Sequence, residues 1–451
     1  MLTGGGYLIV ILVLMLVSCA VAAIYGGLCN HAGKLRQECY YATTPVVIYT
    51  IPGAVVAELL EEHSEITPSQ REFVEIWQAD HERFLKQFGS DAFDDGSRRM
   101  NLVVLICESL ESWPIGLELE GKQIAPNLSR LVGDSSVWYA PHVLSQVGNG
   151  HSIDGQLLML AGMYPMRNFV YAMRFADNAY CAIPQAFGRA GGETWLLSGD
   201  KPSTWNQARI ASAFGIDSMR MASAWDDSEM IGRPARLSDR ALIRQAIRRM
   251  SDGEVLGSGK NGYVQIVTYT GHNPFLIPDN LKTIRLSGDY PPKMADYLTA
   301  VNYTDRAIGE MVDYLRGRPD AAETAIVIVG DHEGLAAYRR KMLSHPAGKG
   351  VVAPHGYVPL IVVNSGLSGI HQPVMGQADV YSTLRELLRL SLSYRGMGFP
   401  ASAGLGFAFT GQGELVGDTT GIDPTLVRHV AEAPAVSDII IRYNLLSDSE
   451  K

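Results

Sequence analysis

The sequence predicts an α/β fold in which helices cover both faces of a mostly parallel sheet. From residue 101 onward, strand-length runs of β-branched and apolar residues alternate with segments of helical periodicity. Such alternation is typical of parallel strands joined by crossover helices. The predicted strands are 101–107, 194–198, 262–269, 324–329 and 358–363, and the predicted helices lie near 125–133, 153–161, 183–190, 238–250, 293–316 and 378–390.

The C-terminal part of the sequence departs from this pattern. From about Gly396 it is rich in glycine and contains two further apolar segments, residues 405–410 and 439–443. Short apolar segments separated by glycine-containing turns are typical of antiparallel strands. We therefore predict a small antiparallel addition after the main sheet.

Length and composition indicate a globular protein with a large core. The chain has 451 residues, of which 47% are hydrophobic, and a formal net charge of −9. Proteins that bind nucleic acid usually carry a basic face, so no nucleic-acid partner is expected. The five cysteines form no CxxC pair, which argues against a disulfide framework and a cysteine-rich zinc site.

The N-terminus predicts a transmembrane helix. Residues 7–28 are apolar and uncharged, and this length spans a bilayer core of roughly 30 Å. No basic residue precedes Lys34, which favours a retained anchor over a cleaved signal. Lys34 and Arg36 would favour a cytoplasmic C-terminal side, but large domains translocate largely regardless of such charges, so orientation stays open. The apolar stretch 42–60 is either a second membrane segment or, as we favour, a buried connection.

Two acidic positions suggest a metal site. Glu108 directly follows the strand-like run 101–107, and Asp331 with His332 follows the run 325–329. The carboxyl ends of strands in an open α/β sheet form its ligand crevice, and two carboxylates with an imidazole suit Mn²⁺, Mg²⁺ or Zn²⁺. Each acid alone could equally cap the following helix. The two together, with the adjacent histidine, favour a metal site.

Ser152 is a candidate nucleophile. It lies in a glycine-containing loop, residues 146–154, that runs into an apolar helical stretch. A hydroxyl at a helix start is well placed to attack a phosphoryl or sulfuryl centre, because the backbone amides there favour negative charge. Serine is equally a preferred N-cap residue, so spacing alone does not decide between the two roles. A bound cation would favour the nucleophile, since it lowers the pKa of the hydroxyl.

Taken together, the motifs resemble those of the lipoteichoic acid synthase family, sulfatase-like enzymes of the alkaline phosphatase superfamily. In the order of that family they are Glu108-Ser109, Gly148-Asn-Gly-His-Ser152, Gly199-Asp-Lys-Pro-Ser-Thr-Trp-Asn206, Gly271-His-Asn-Pro-Phe275, Gly330-Asp-His-Glu-Gly334 and Gln377-Ala-Asp379. The resemblance covers about residues 100–395. It implies an alkaline phosphatase-like fold and a membrane-anchored extracellular enzyme. Such an enzyme moves phosphoglycerol from a phospholipid to an envelope glycan or lipid acceptor through a covalent intermediate.

The resemblance also implies roles for individual residues. One divalent ion, Mn²⁺ first with Mg²⁺ or Zn²⁺ as alternatives, would be held by Glu108, Ser152, Asp331 and His332. Ser152 would be the nucleophile, and His272 would act near the leaving or entering oxygen. The phosphoglycerol pocket would be lined by Asp200, Trp205 and His272. Independently of the resemblance, His355 before the run 358–363 is a candidate to contact a phosphate or a second ion, with structural packing or simple exposure as the alternatives.

The resemblance and the composition together predict four regions. Between 61 and 99, aromatic residues recur at helical spacing among charged ones, which predicts a linker helix that packs on a neighbour. The regions are a transmembrane anchor over 1–33, linker helices over 34–100, a sulfatase-like catalytic domain over 101–395 and a C-terminal subdomain over 396–451. We expect the protein at the cell membrane with an extracytoplasmic catalytic domain.

Several residues depart from the family pattern. Ser152 stands where the synthases have threonine, a modest chemical change. Gln207 stands where they have an arginine that contacts phosphoglycerol, and glutamine offers no charged fork to phosphate, although Arg209 is near enough in sequence to reach the same space. Ala336 replaces a pocket serine.

Two other function classes stay open at this stage. A phosphodiesterase or sulfatase-like hydrolase would use the same nucleophile and pass the group to water. A formylglycine sulfatase is disfavoured, because the x-Pro-x-Arg that should follow its modified residue is absent after Ser152. A non-catalytic membrane-tethered binding domain is the third possibility, and the retained ligand set argues against it.

Overall fold

The computed structural model describes residues 65–88, 100–226, 228–232, 235–257 and 261–448. The predicted transmembrane helix at 7–28 and the segment 42–60 lie outside these residues. Within the described residues, no helix is long and apolar enough to cross a bilayer. Residues from Ile66 onward belong to one compact unit.

Helices and strands alternate along most of the described chain. The helices are α1 (Pro68–Gln87), α2 (Pro126–Val132), α3 (Ser152–Ala161), α4 (Tyr171–Arg174), α5 (Ile183–Arg189), α6 (Gln207–Ala213), α7 (Asp239–Ser251), α8 (Pro292–Arg316), α9 (Arg339–Leu343), α10 (Ala378–Leu387) and α11 (Pro424–Arg442). The strands are β1 (Asn101–Cys107), β2 (Glu118–Leu119), β3 (Lys122–Gln123), β4 (Val137–Leu144), β5 (Thr194–Ser198), β6 (Ser218–Arg220), β7 (Met230–Ile231), β8 (Arg236–Leu237), β9 (Tyr263–Val267), β10 (Thr324–Gly330), β11 (Tyr357–Val363), β12 (Gly369–Ile370), β13 (Met375–Gly376), β14 (Phe407–Phe409) and β15 (Leu415–Gly417).

The main sheet is mostly parallel, as predicted. Its strand order is β12-β4-β11-β10-β1-β9-β5-β6, with β13 also paired to β4. Among its described strands, β11 alone runs against the others. The five predicted strands are all present, with ends shifted by one or two residues. This confirms the α/β fold class.

Strand β4 was not predicted from the sequence. Its run is broken by Pro141, which lacks a backbone donor, and by His142. The register between β4 and β11 shifts between Val358 and Leu360, opposite this interruption. A proline inside a sheet is tolerated at such an irregularity, and the same residue hides the strand from a periodicity search.

Helices cover both faces of the sheet. Successive residues of the fully buried strand β1 point alternately into two cores. Leu102 and Val104 face the core shared with α3, α10 and α11, while Val103 and Leu105 face the core shared with α2, α7 and α8. A strand buried on both faces reads as a continuous apolar run, which is why β1 was predictable.

The C-terminal region contains the antiparallel addition only in part. Strands β14 and β15 pair antiparallel, which confirms the expectation for residues 405–410. The expectation for 439–443 is wrong, because most of this segment forms the end of α11. The buried residues of α11 recur at helical spacing, from Leu426 to Ile441. In local sequence, Pro434 disfavours a helix and the isoleucine run at 439–441 favours a strand, and tertiary packing overrides both.

Helix α1 confirms the helix expected between 61 and 99, and it packs on α11 through stacked rings. The Trp77 ring stacks at 4.8 Å from His81 and 4.3 Å from His429, and Trp77 Nε1 donates to the His429 carbonyl. His81 Nδ1 lies 3.0 Å from His429 Nε2. Burial lowers the pKa of His81 to about 3, helped by the charge of His429, and burial lowers the pKa of His429 to about 4.

Three buried glutamine side chains, one of them on α3, form a hydrogen-bonded cluster. Gln207 Nε2 donates to Gln156 Oε1 at 2.9 Å, and Gln156 Nε2 donates back to Gln207 Oε1 at 3.1 Å. Gln265 Nε2 also donates to Gln156 Oε1, at 2.9 Å. All three side chains are buried. The cluster therefore joins α3, the start of α6 and strand β9 by neutral hydrogen bonds.

Acidification should destabilise the protein through the histidine pair. Both imidazoles stay neutral when folded down to about pH 4, whereas unfolded histidines bind protons near pH 6.5. Their contribution to the free energy of unfolding should be constant above pH 6.5. It should fall below that pH by about 1.4 kcal/mol per histidine for each pH unit.

Urea denaturation at pH 7.5 and 5.0 measures this effect. The wild type should lose more stability on acidification than His429→Gln, in which one imidazole is replaced by a group that does not titrate. His345→Gln, which changes a half-buried histidine outside the cluster, serves as the matched control. Equal pH slopes for wild type and His429→Gln would contradict the assignment.

Restoring the synthase arginine at position 207 should destabilise the fold. Gln207→Arg places a charge among buried amides that supply no carboxylate, and we expect a loss of about 3 kcal/mol or more. Arg209→Gln on the same helix removes only an exposed ion pair with Asp177 and should cost about 1 kcal/mol or less. Denaturant midpoints of the two variants give the comparison. Wild-type stability in Gln207→Arg would mean that residue 207 can turn out of the cluster.

Candidate metal centre and active site

Glu108 and Asp331 leave two adjacent strands side by side. Strands β1 and β10 pair in parallel with Cys107 opposite Gly330, so the residue after each strand emerges at the same edge of the sheet. Helix α3 approaches this edge closely, because Gly155 lies against the Asp331 carbonyl. A Cβ at Gly155 would stand 2.2 Å from that oxygen. Only glycine allows the helix that carries Ser152 to come so near.

Asp331 is held with one oxygen satisfied and one unpartnered. Its side chain is fully buried, and Oδ1 accepts from the backbone N–H groups of Ser109 at 2.7 Å and His332 at 2.8 Å. Oδ2 is buried without a hydrogen-bond partner among the described residues. An unsatisfied buried carboxylate oxygen is costly unless a ligand completes it. This oxygen fits a cation ligand.

Ser152 contacts the other members of the group. Its Oγ donates to Glu108 Oε2 at 2.9 Å and lies 3.3 Å from His332 Nε2, which is itself 3.3 Å from Glu108 Oε1. Ser152 is the first residue of α3, after His151 with its φ of 42°. The structure thus brings together Glu108, Ser152, Asp331 and His332, the set expected to hold an ion.

The electrostatics of this group favour a positive charge. Burial and the charge of Glu108 raise the pKa of Asp331 to about 7. Burial would raise the pKa of Glu108, but the charge and hydrogen bond of His332 outweigh it and lower that pKa below its usual range. Burial would lower the pKa of His332, but Asp331 and Glu108 raise it to about 10.

The donor set fits a divalent cation. Ligand atoms of Glu108, Asp331 and His332 lie within 4.8 Å of one another. Two carboxylates, an imidazole and a hydroxyl match the ligands that Mn²⁺, Mg²⁺ or Zn²⁺ takes in proteins. The unpartnered Oδ2 of Asp331 supports the same assignment.

Residues that sequence reasoning missed hold the two ligand loops together. The fully buried Glu111 accepts through Oε1 from the Leu335 N–H at 2.9 Å and from Arg339 Nη2 at 2.8 Å. Tyr297 donates its hydroxyl to the Ser109 carbonyl at 3.0 Å. The loop after β1 is therefore tied to the loop after β10. The sequence around Glu111 does not reveal this role, because the two groups that donate to its Oε1 lie more than 200 residues away.

The loop that leads to Ser152 is held by a buried acid. Asp154, which is fully buried in the first turn of α3, accepts through Oδ2 from the N–H groups of Gly148 at 3.0 Å and Gly150 at 2.9 Å. Its position two residues after Ser152 is the sequence signal that could have identified it. The acid fixes the backbone that presents Ser152.

The three expected pocket residues follow strands that end at the same edge of the sheet. His272, after β9, is exposed, and its ring stacks on Tyr269 at 5.2 Å. Gly271 lies against the Glu108 carbonyl, where a Cβ would stand 2.0 Å from the oxygen. Trp205, with φ of 50° in the turn before α6, is half-buried. Their contacts with substrate stay predictions.

Asp200 is half-buried beyond β5 and accepts from Arg236 Nε at 2.9 Å. Burial raises the pKa of Asp200, Arg236 opposes this effect, and the charges of Glu108 and His272 act on it as well. Sequence reasoning did not identify Arg236. It lies in the short hairpin formed by β7 and β8, which carries no motif.

Three further residues considered from the sequence are Gln207, Arg209 and His355. Gln207 turns into the buried glutamine cluster, and Arg209 pairs with the exposed Asp177, so these contacts give no support to Arg209 as a replacement for the synthase arginine. His355 is half-buried, 5.8 Å from the Tyr357 ring and one residue from Gly356, which lies against Glu333. A phosphate contact by His355 stays a prediction.

Comparison with known proteins agrees with the motifs. The chain is 23% identical over 296 residues to lipoteichoic acid synthase 2 of Bacillus subtilis (strain 168), covering 64% of this chain and 44% of that protein. It is likewise 23% identical over 300 residues to lipoteichoic acid synthase of Staphylococcus aureus (strain USA300), covering 64% of this chain and 45% of that protein. The chain spans less than half the length of these relatives.

Solved structures share the fold. The lipoteichoic acid synthase LtaP from Listeria monocytogenes superposes with a TM-score of 0.65 at 17% identity, over 80% of this chain and 94% of LtaP. The Streptococcus pyogenes phosphoglycerol transferase GacH, solved with sn-glycerol-1-phosphate, gives 0.57 at 14% identity, over 84% of this chain and 96% of GacH. The family model described as Sulfatase matches residues 100–390. The chain therefore belongs to the sulfatase family.

Proposed function

We propose that this protein is a metal-dependent transferase that moves a phosphoglycerol-type headgroup from a phospholipid to an envelope glycan or lipid acceptor. The observation that carries the proposal is the contact of Ser152 Oγ with Glu108 and His332, beside the unpartnered Oδ2 of Asp331. The relatives named as lipoteichoic acid synthases and the structural neighbour named as a phosphoglycerol transferase support this reaction class over others on the same fold.

The proposed setting is the cell membrane, with the catalytic domain on the extracytoplasmic side. Residues 1–33 would be the anchor, 34–100 the linker, 101–395 the catalytic domain and 396–451 a C-terminal subdomain. Glu108, Ser152, Asp331 and His332 would hold one divalent ion, with Mn²⁺ as the first candidate. When bound, such an ion neutralises negative charge on phosphoryl oxygens and lowers the pKa of a nearby hydroxyl.

In the first half-reaction Ser152 Oγ attacks the phosphorus of the donor. Ser152 attacks as the alkoxide, its proton having left to solvent beforehand; the Oγ–P bond forms and the bond from phosphorus to the diacylglycerol oxygen breaks. His272 Nδ1 donates to the Asn273 carbonyl at 2.7 Å, because a carbonyl can only accept. In its protonated form the ring carries a second proton, on Nε2, which it gives to the departing oxygen and regains in the second half-reaction.

In the second half-reaction an acceptor hydroxyl replaces the serine. The hydroxyl gives its proton to His272 Nε2 and attacks the phosphorus. The Oγ–P bond breaks, and Ser152 leaves as the alkoxide with which the cycle began. The enzyme is restored, and the headgroup is on the acceptor.

A hydrolase is the second candidate, because His272 is exposed and water can reach it. The first half-reaction would be the same, with water as the acceptor in the second. The yield of acceptor-linked product against free glycerol phosphate, measured with added glycolipid, separates the two functions.

Asp331→Asn should abolish ion binding. The amide lacks the negative charge and presents an N–H₂ group where the buried Oδ2 now stands, so Mn²⁺ affinity should fall by about 100-fold or more, beyond the loss typical of residues that only orient a ligand. Calorimetric titration of the full chain with Mn²⁺ measures this. Asp177→Asn, which changes an exposed acid, should bind like the wild type. Wild-type affinity and turnover in Asp331→Asn would refute the metal assignment.

Ser152 should carry the covalent intermediate. After incubation of the full chain with Mn²⁺ and phosphatidylglycerol, intact-protein mass spectrometry should detect added phosphoglycerol on the wild type and none on Ser152→Ala. The adduct should disappear with chelator. An adduct that persists in Ser152→Ala would place the nucleophile elsewhere. No adduct on a wild type that binds Mn²⁺ and leaves phosphatidylglycerol intact would exclude this donor.

A further inference from the structure

Asp200, at the rim of the site, forms an ion pair with Arg236. Arg236 Nε donates to Asp200 Oδ1 at 2.9 Å, and Arg236 Nη1 donates to the Ala235 carbonyl at 3.2 Å. The side chains are 24% exposed for Asp200 and 16% exposed for Arg236, so the pair is partly withdrawn from water yet reachable. Partial burial strengthens an ion pair relative to a fully solvated one.

This pair lies beside the proposed proton-transfer residue. The Arg236 guanidinium is 5.8 Å from the centroid of the Tyr269 ring, on which the His272 ring stacks at 5.2 Å. Asp200 follows β5 and His272 follows β9, and these two strands are parallel neighbours that end at one edge of the sheet. The charge of His272 acts on Asp200. A headgroup between Ser152 and His272 would reach the pair.

We infer that Arg236 selects the headgroup, because it neutralises Asp200 and so favours an uncharged polyol over a cationic amine. The inference rests on the proposed function and adds the residue that determines specificity. A free carboxylate at this point would attract an ammonium group. The paired guanidinium cancels that attraction and repels a cation.

The Asp200–Arg236 pair can also form hydrogen bonds with the hydroxyl groups of a polyol. In the described residues the Asp200 hydrogen bond to Arg236 uses Oδ1, which leaves Oδ2 to accept from a ligand hydroxyl. Guanidinium N–H groups can donate to the hydroxyl oxygen. Glu333, the acid after His332, is also paired, with Arg339 Nη2 at 2.9 Å. Asp200 and Glu333 are therefore each in contact with a guanidinium rather than free to bind an amine, and Arg339 is shared with Glu111.

Competing donors test the inference. The full chain with Mn²⁺ is given short-chain phosphatidylglycerol and phosphatidylethanolamine, and kcat/KM is measured for each. The variant Arg236→Gln removes the cation and frees Asp200. The ratio of kcat/KM for the glycerol donor to that for the ethanolamine donor should fall about tenfold or more, because one charged contact is lost and a repulsion is removed. Arg209→Gln, which also loses a paired arginine, should keep the wild-type ratio.

Two further variants show whether Arg236 determines the headgroup preference or only stabilises the structure around it. Arg236→Lys keeps the charge and should hold the ratio within about threefold of wild type. Asp200→Asn leaves Arg236 without its acid and should not lower the ratio. These variants also test the inference should Arg236→Gln fail to fold.

The possible results separate a failure of the role inferred for Arg236 from a failure of the proposed transferase function. A wild type that transfers neither headgroup overturns the proposed function itself. A wild type that transfers the glycerol headgroup, with Arg236→Gln lowering both donors equally or neither, overturns the role of Arg236 alone. A lower ratio in Asp200→Asn would also overturn it, because the carboxylate rather than the guanidinium would then favour the polyol.

Discussion

The pairing of β1 with β10 places two carboxylates at one point, and the rest of the site depends on it. Glu108 and Asp331 emerge from adjacent buried strands whose register has no freedom to shift without exposing a hydrophobic run. Burial, and then repulsion from the like charge of Glu108, raise the pKa of Asp331 to about 7. His332 and two backbone N–H groups offset part of this repulsion. The other oxygen of Asp331, Oδ2, has no hydrogen-bond partner among the described residues and is a suitable ligand for a cation.

Rigid supports hold the ligands at this point. Glu111 and Arg339 tie together the loops that follow β1 and β10, and Gln377 Nε2 donates to the Asp331 carbonyl at 2.7 Å. Beneath the nucleophile helix, the glutamine cluster joins segments that lead to Ser152, Trp205 and His272. A site built on strands and helix ends, with its ligands fixed by such contacts, changes little when substrate binds.

Sequence could predict the parts whose signal is local. The runs that became β1 and β10 are apolar over their whole length, so both strands and the acids after them were found, and the motif order placed Ser152 with them. Strand β4 was missed because Pro141 interrupts it, and α11 because its isoleucines favour a strand locally. Glu111 could not be found, since its partner Arg339 is 228 residues away. Gln207 was interpreted as a lost substrate contact, yet its partners are buried amides supplied by other segments.

The distribution of charge bears on how an acidic protein could accept the anionic donor that we propose. The formal net charge of −9 would repel a phosphodiester if the acids near the site were free. They are not: Asp200 pairs with Arg236, Glu333 and Glu111 pair with Arg339, and Glu108 contacts His332. The three cations offset three of these four negative charges, because Arg339 is shared by Glu333 and Glu111. The unpartnered Oδ2 of Asp331 is then where the site still lacks positive charge, beside the Ser152 hydroxyl that would attack the phosphorus. The ion pairs around the rim thus reduce the repulsion of a phosphodiester. The position for a cation lies beside Ser152, where that cation would attract the reacting phosphate.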